Sequence, residues 1–506
     1  MDSGDGAFST IHHRGQARDS ATILSFGRVD GYPMVDSANG PSRDHMRPNG
    51  STILVVGAGA AGLSAALTLA VRAKDSHCRV CVLEASDRIG GRMFCEEIDG
   101  FHVCAGASVI HESFATTRAL ARELDVELWP SPKEKGGQAW AGGRFWGLYA
   151  GGSPKQTLTT LRTMLFSPQH TLAGFWEVMR LFAVLKKRAR DLDFEDHTRM
   201  LDLDTGESFA EFARANSFVR YLKQAGELDL NCFTAGTSEQ VGAAYGMALL
   251  WLWTFNPATR NYLPKQGIGA LAKALADASA NSIRVSTPVE RIILKDGRAR
   301  GVVTVSGDTI EADAVICATT ASAAARIVPQ LPGELRAVLE RVSYSSCCNV
   351  AFGLDENILA EGSHAGLFPP GSPTFLTMVT NLAAMTPDAS PSGKTLVHAL
   401  VIGEHARTLF ALDDDEIVRR VIDEMRRFFP AMPEHPLFAR VYRWPEALCL
   451  SPGGMLRDMH DMRTRLHGCI RGVFLAGDYT HLPSLNGAMK SGVEAAQASL
   501  SYVASA

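Results

Sequence analysis

The stretch Ser51-Thr52-Ile53-Leu54-Val55-Val56-Gly57-Ala58-Gly59-Ala60-Ala61-Gly62 decides how this chain folds. Its first half is a short apolar run rich in β-branched residues, the pattern of a strand buried on both faces. Its second half reads G-x-G-x-x-G, and Leu63 to Ala70 continues as a helix of small and apolar residues. Gly57 permits a tight turn, Gly59 lets backbone approach a pyrophosphate, and Gly62, after Ala61, allows the helix to pack closely on the strand. The helix N-terminus then offers unpaired N–H groups and a positive dipole end to phosphate. A second strand, Arg79 to Leu83, ends at Glu84, 22 positions after Gly62. A carboxylate there accepts hydrogen bonds from ribose hydroxyls and repels a 2′-phosphate. A lone G-x-G-x-x-G is weak; framed by two strands, a helix and an acid, it predicts a dinucleotide-binding βαβ unit.

Outward from this unit the chain alternates in character. From about Thr116 to Leu263 the pattern is mostly helical, with long segments such as Ala173 to Arg190. Strands return at Ile283–Val285, Val289–Leu294 and Gly301–Val305, with a turn at Lys295-Asp296-Gly297, and again at Ala314–Ala318. A mixed stretch covers roughly 340 to 440. Gly472–Ala476 is a last strand, followed by Gly477-Asp478 and a final helix from about Gly487. These blocks predict an α/β fold: a discontinuous Rossmann-type domain (51–115, 262–335 and 443–506) with an inserted α+β substrate domain (116–261, mostly helical, and 336–442). Residues 1–50 read as a disordered tail.

The composition is that of an ordinary globular protein, with 46% hydrophobic and 21% charged residues. Fifty basic against 54 acidic residues leave a net charge of −4, which argues against a nucleic-acid partner. Ten cysteines are too few for a disulfide framework, and their positions look buried rather than paired. Cys78 and Cys81 form a C-x-x-C, but along a strand that spacing points them to opposite faces, and Cys347-Cys348 is also read as core. A reducing, cytoplasmic setting fits best. No run of 18 apolar residues appears, and six aspartates in the first fifty residues argue against a transit peptide. Gly174 to Arg190 is apolar early and basic late, so it suits either a core helix with cations at its C-terminus or a helix lying on a membrane surface. No metal-ligand cluster or Ser-His-Asp arrangement stands out.

The segment Glu84-Ala85-Ser86-Asp87-Arg88-Ile89-Gly90-Gly91-Arg92 resembles the stretch after the ribose-binding glutamate in the flavin-containing amine oxidase superfamily, which includes monoamine oxidases, protoporphyrinogen oxidases and phytoene-type desaturases. Its paired glycines permit close backbone approach, and Arg88 and Arg92 neutralise a pyrophosphate. Val473 to Thr480 and Leu485 to Gly492 look like the superfamily's C-terminal flavin motif. The resemblance implies FAD as cofactor, with Gly477 and Asp478 at the ribityl chain and the N–H groups near Gly487 and Ala488 facing the flavin N1–C2=O edge. Thr287 to Ile292 resembles the strand whose valine, here Val289, meets adenine through its backbone. Pro264 to Leu271 resembles the glycine-rich entry to the helix before it.

Departures from the superfamily bear on the reaction. Cys104 stands where an aspartate is frequent. The stretch Ala323 to Pro332 lacks the lysine of monoamine oxidases, and Pro483 to Asn486 lacks their aromatic-cage tyrosine. Ala318 to Ala325 and Arg443 to Leu448 look more like the protoporphyrinogen oxidase and desaturase branches. Cys449 does not align with the family's covalent flavin site and reads as a packed thiol. His111 and His481 each adjoin a flavin motif and read as structural histidines before bases. The resemblance implies an oxidase or dehydrogenase that moves a hydride from a C–H of a largely apolar small molecule to flavin N5, with O2 or another acceptor taking the electrons. Oxidation of C–N to imine and, as its alternative, C–C dehydrogenation rank about equally. A reduced-flavin isomerase and a flavin-binding scaffold without turnover complete the readings. No residue is singled out as catalytic.

Overall fold

The computed structural model describes residues 50–72, 78–131, 136–148, 154–168, 172–256, 260–279, 282–328, 330–386 and 388–505. The expected tail lies outside them, apart from Gly50.

Five parallel strands make the dinucleotide sheet, in the spatial order Ser282–Arg284, Arg79–Leu83, Thr52–Val56, Ala314–Cys317 and Val473–Leu475. Ile53 to Val56 and Ala314 to Cys317 are buried because helices cover both faces, and their unbroken apolar runs reflect this. The strand order reverses beside Thr52–Val56, so the crevice at its C-terminal end is the expected ligand position. The helices Ala60–Arg72 and Leu485–Ser505 lie against each other over this sheet. Gly492 allows that approach: a Cβ there would stand 2.0 Å from the Ala61 carbonyl oxygen.

A three-stranded antiparallel meander, Val289–Lys295, Arg298–Thr304 and Thr309–Glu311, adjoins it. Its first turn follows from Asp296-Gly297, both at positive φ (52° and 68°), as a two-residue hairpin requires.

A seven-stranded sheet runs in the order Phe438–Trp444, Cys347–Leu354, Thr395–Ile402, Met378–Asn381, Ser363–Leu367, Gly136–Ala141 and Arg144–Leu148. One face, with Val350, Phe352, Val397 and Val401, packs against Ile417, Val421 and Met425 of the helix Asp414–Arg426. The other face carries Asn349, Ala351 and His398 and turns toward the dinucleotide half. There Asn349 Nδ2 and Trp444 Nε1 both donate to the Ala105 carbonyl, at 3.0 and 3.1 Å.

Two expectations are corrected. The region read as mostly helical contributes a hairpin, Gly136–Ala141 with Arg144–Leu148, to this sheet. Its turn glycines, Gly142 and Gly143, have φ 57° and 83°, and Trp140 packs across it on Phe145 at 5.1 Å. The glycines hid the strands by diluting their apolar content. The cysteines are not all unpaired either: Cys95 and Cys104 form a disulfide across the antiparallel strands Cys95–Ile98 and Phe101–Cys104. The hairpin turn Asp99-Gly100 brings them directly opposite. Among the described residues the other eight cysteines are free, including Cys78, Cys81, Cys347 and Cys348.

Candidate dinucleotide and substrate site

The turn after the first strand is built as its glycines require. Gly57 has φ 102°, and a Cβ on it would stand 2.5 Å from the Ala318 carbonyl oxygen. At Gly62 a Cβ would stand 1.8 Å from the Gly57 carbonyl oxygen, so the buried start of the helix, with Ala61, presses directly on the turn. Gly59 differs: a Cβ there meets no protein atom within 4 Å. Protein packing therefore does not demand that glycine, whereas a bound pyrophosphate would.

Glu84, just after the second strand, faces this turn. Its Oε2 accepts from the Ala58 N–H at 2.6 Å, and its Oε1 accepts from the Ser86 N–H and hydroxyl. Ala85 beside it is exposed. Thr287 N donates to the Glu84 carbonyl and Ser286 N to the Ser86 carbonyl, which brings the segment leading to Val289 alongside. Gly90 N donates to the Ala58 carbonyl, and Gly91 approaches Gly59 so closely that a Cβ on it would stand 3.2 Å from the Gly59 Cα.

The two arginines have separate roles. Arg88 stacks on Phe94, 4.1 Å from the ring centroid, and donates to the Gly91 carbonyl. Arg92 donates to Asp478 Oδ2 at 2.7 Å and to the Ala447 carbonyl at 3.1 Å. That ion pair ties the first motif to the last, 386 residues away. Asp478 is 6% exposed, and its Oδ1 has no hydrogen-bond partner among the described residues. Such an orphan is costly unless a ligand hydroxyl pairs with it, so the site fits a ribityl chain. Gly477 is needed here too, because a Cβ would stand 2.5 Å from the Tyr479 ring.

At the start of the last helix, the Gly487 N–H donates to Ser484 Oγ and the Ala488 N–H to the Ser484 carbonyl. Both are engaged in the helix cap, so contact with a flavin edge would compete with Ser484. Asn486 instead ties this helix inward: its Oδ1 accepts from the Thr117 N–H at 3.0 Å, and its Nδ2 donates to Glu195 at 2.8 Å.

His481 is structural. Its Nε2 lies 3.0 Å from Glu494 Oε2, which also accepts from the buried Arg463 at 2.6 Å. Burial, with Arg463 beside it, depresses the imidazole pKa, and His197, packed ring to ring at 4.7 Å, is held lower still. Cys449 is completely buried, and burial together with Asp478 pushes its thiol up, as for a packed, un-ionised side chain.

Beside Thr117 and Asn486 stands an aromatic wall. Trp253 packs on Phe233 at 5.6 Å and edge-on to His111 at 5.2 Å, and His111 lies 5.9 Å from Phe114. Burial pushes His111 down to about 4, so its ring is neutral at pH 7, and its Nδ1 is 2.8 Å from the Ser113 hydroxyl. Trp253 belongs to a π-helical segment, Trp251–Phe255, and a second one, Leu222–Gly226, precedes the helix Glu227–Thr234. Between them lies Asp229, whose Oδ2 accepts from Thr254 at 3.2 Å and Tyr221 at 3.4 Å. Burial raises its carboxyl to about 7. Asp229 and the two π segments gave no sequence signal, since periodicity over five residues does not separate π from α winding.

A family model described as flavin containing amine oxidoreductase matches residues 60–500. The chain belongs to that family. It is a flavin-dependent oxidoreductase with FAD as its cofactor. An L-amino acid dehydrogenase of Synechocystis is 24% identical over 423 residues, covering 79% of this chain and 83% of the relative. Coproporphyrinogen III oxidase of Bacillus subtilis is 28% identical over 174 residues, covering 34% of this chain and 36% of that enzyme. In fold the oxidoreductase is similar to cyclohexylamine oxidase from Brevibacterium oxydans, with TM-score 0.65 and 19% identity, covering 90% of this chain and 99% of that one. No described helix is long and apolar enough to cross a membrane.

Proposed function

We propose that this flavoenzyme oxidises an amine with a large apolar part at the C–H next to nitrogen, giving an imine. When bound, FAD would supply the two-electron acceptor for that hydride, with O2 or another acceptor as the outlet for the electrons. The chain's own residues hold and orient. Arg92 and the Gly57 turn would hold the pyrophosphate, Glu84 a ribose, Val289 the adenine and Asp478 the ribityl chain. The observation that carries the reading is an aromatic wall with one carboxylate at its edge. Asp229 lies one helical turn from Phe233, and its partner Thr254 adjoins Trp253. Such a site suits an apolar body with a cationic end, whose charge would draw the Asp229 carboxyl, raised to about 7 by burial, back to its ionised form. Neutral His111 adds no repelling charge. The long match to an amino acid dehydrogenase supports the same chemistry.

A second reading, C–C dehydrogenation of a cyclic or polyene substrate, is favoured by the fact that the wall itself holds only rings. The test is the flavin absorption of the holoenzyme, followed anaerobically as amines, porphyrinogens and polyenes are added. Bleaching by apolar amines supports C–N oxidation, and bleaching by porphyrinogens or polyenes alone overturns it. Re-oxidation on admitting air separates an oxidase from a dehydrogenase. Asp229→Asn should raise KM for amines about tenfold, the loss of roughly 1.4 kcal/mol of charge-assisted binding, and change kcat little.

A further inference from the structure

Eleven large hydrophobic side chains are exposed among the described residues, and seven of them fall on two consecutive helices. Pro154–Phe166 exposes Leu158, Leu161, Leu165 and Phe166, and Leu172–Arg188 exposes Phe175, Trp176 and Met179. The spacings 158, 161, 165 and 175, 176, 179 each trace one side of a helix. Phe166 and Trp176 are 68% and 67% exposed, although burying an aromatic ring is among the larger gains open to a folding chain. The remaining four are single residues scattered over the molecule, as on any surface.

The second helix is anchored from behind. Leu181 and Leu185 are buried, and Phe182 packs on Trp251 and Phe255 at 6.4 and 6.2 Å. Its one acid, Glu177, is also turned inward, where its Oε2 accepts from the Arg220 and Tyr221 N–H groups. The outward apolar stripe is therefore not a helix awaiting its own core.

Charge identifies what covers it. From Pro154 to Arg188 the two helices carry Lys155, Arg162, Arg180, Lys186, Lys187 and Arg188 against Glu177 alone, in a chain whose net charge is −4. Arg188 has an acidic neighbour, Asp191 at 3.7 Å, while Lys186 and Lys187 close the helix exposed. Exposed Leu, Phe and Trp flanked by cations are the combination that inserts apolar side chains at the headgroup boundary of a bilayer and holds anionic lipids around them.

We infer that the helices Pro154–Phe166 and Leu172–Arg188 dock this oxidoreductase on the surface of an anionic phospholipid bilayer. Through Phe182, packed on Trp251 and Phe255, the docked helix backs onto the π-helical segment that carries Trp253, so the membrane lies behind that element. Docking does not depend on which C–H is oxidised, so its failure and the failure of the proposed reaction are separate results.

The test is flotation of the flavin-loaded enzyme with vesicles of phosphatidylcholine alone or containing about one third phosphatidylglycerol, at low and roughly 0.5 M salt. Strong binding to the anionic vesicles that salt weakens is expected. The variant Lys186→Gln/Lys187→Gln should lose about 25-fold in partition, from roughly fivefold per cation. Phe166→Glu/Trp176→Glu should abolish binding while flavin content and melting temperature stay unchanged, since both residues are exposed. Equal binding to neutral vesicles, or wild-type retention in either variant, would overturn the inference. So would a wild-type dimer in sedimentation velocity that the Phe166/Trp176 variant dissolves, since that would assign the stripe to a second copy of the chain.

Discussion

The dinucleotide turn at 57–62 and the helical wall at 219–255 are built on opposite terms. In the turn, backbone packs on backbone: two of its three glycines are forced by carbonyl oxygens within 2.5 Å of where a Cβ would stand. In the wall, side chains do the work, and the backbone winds into two π segments around a carboxylate that burial raises to about 7. A site made of main chain tolerates almost no substitution. One made of side chains can be retuned residue by residue, so the family is plain here while the substrate is a proposal.

The most direct way to break this contrast is Gly62→Ala. Its Cβ would require the turn itself to move, so the variant should purify without flavin or fail to fold, read from the flavin absorbance per protein and the yield. Wild-type flavin content in this variant would remove the claim that backbone contact governs the turn. Asp478→Ala sharpens the contrast, because it removes a side chain from the backbone-built half and leaves Arg92 without its carboxylate partner. Loss of a charge-assisted bond is worth about 2 kcal/mol, so flavin affinity should fall about thirtyfold, measured by titrating apo-protein.

The Cys95–Cys104 disulfide closes a short loop between strands that are already paired. Cys95→Ser/Cys104→Ser should therefore cost about 2 kcal/mol, at the low end for such cross-links, read from denaturant unfolding. The Gly269 N–H, which donates to Cys95 Sγ at 3.2 Å, keeps an acceptor in the serine hydroxyl, so the helix Ile268–Ser279 should hold its place.

The last expected effect is on pH dependence. Burial depresses His111 and His398 to about 4, and His398 Nε2 has no partner among the described residues. A histidine whose folded pKa lies below its unfolded value of about 6.5 stabilises fully above that value and loses its contribution as pH falls toward 4. The melting temperature should drop between pH 7 and 4.5. His398→Asn should flatten the drop by up to about 1.4 kcal/mol per pH unit, and an unchanged slope would show that His398 is not a contributor.

The sequence by itself determined the βαβ unit, the second motif at Glu84 to Arg92 and the last strand with its helix. Each is local: a buried strand, a glycine turn and a helix announce themselves within twenty residues through periodicity and glycine placement. The symmetry of Cys95 and Cys104 about Asp99-Gly100 was also local and predicts their pairing, yet a count of cysteines cannot see it. Only the tertiary structure decided the rest. It joined Arg92 to Asp478, Asn349 to Ala105, and Asn486 to Thr117 and Glu195, contacts between residues hundreds of positions apart. It also decided that the apolar half of 172–188 divides into a buried side and an exposed one. Composition names a side chain's chemistry, but whether that chemistry meets protein, solvent or membrane depends on which elements the fold places behind it.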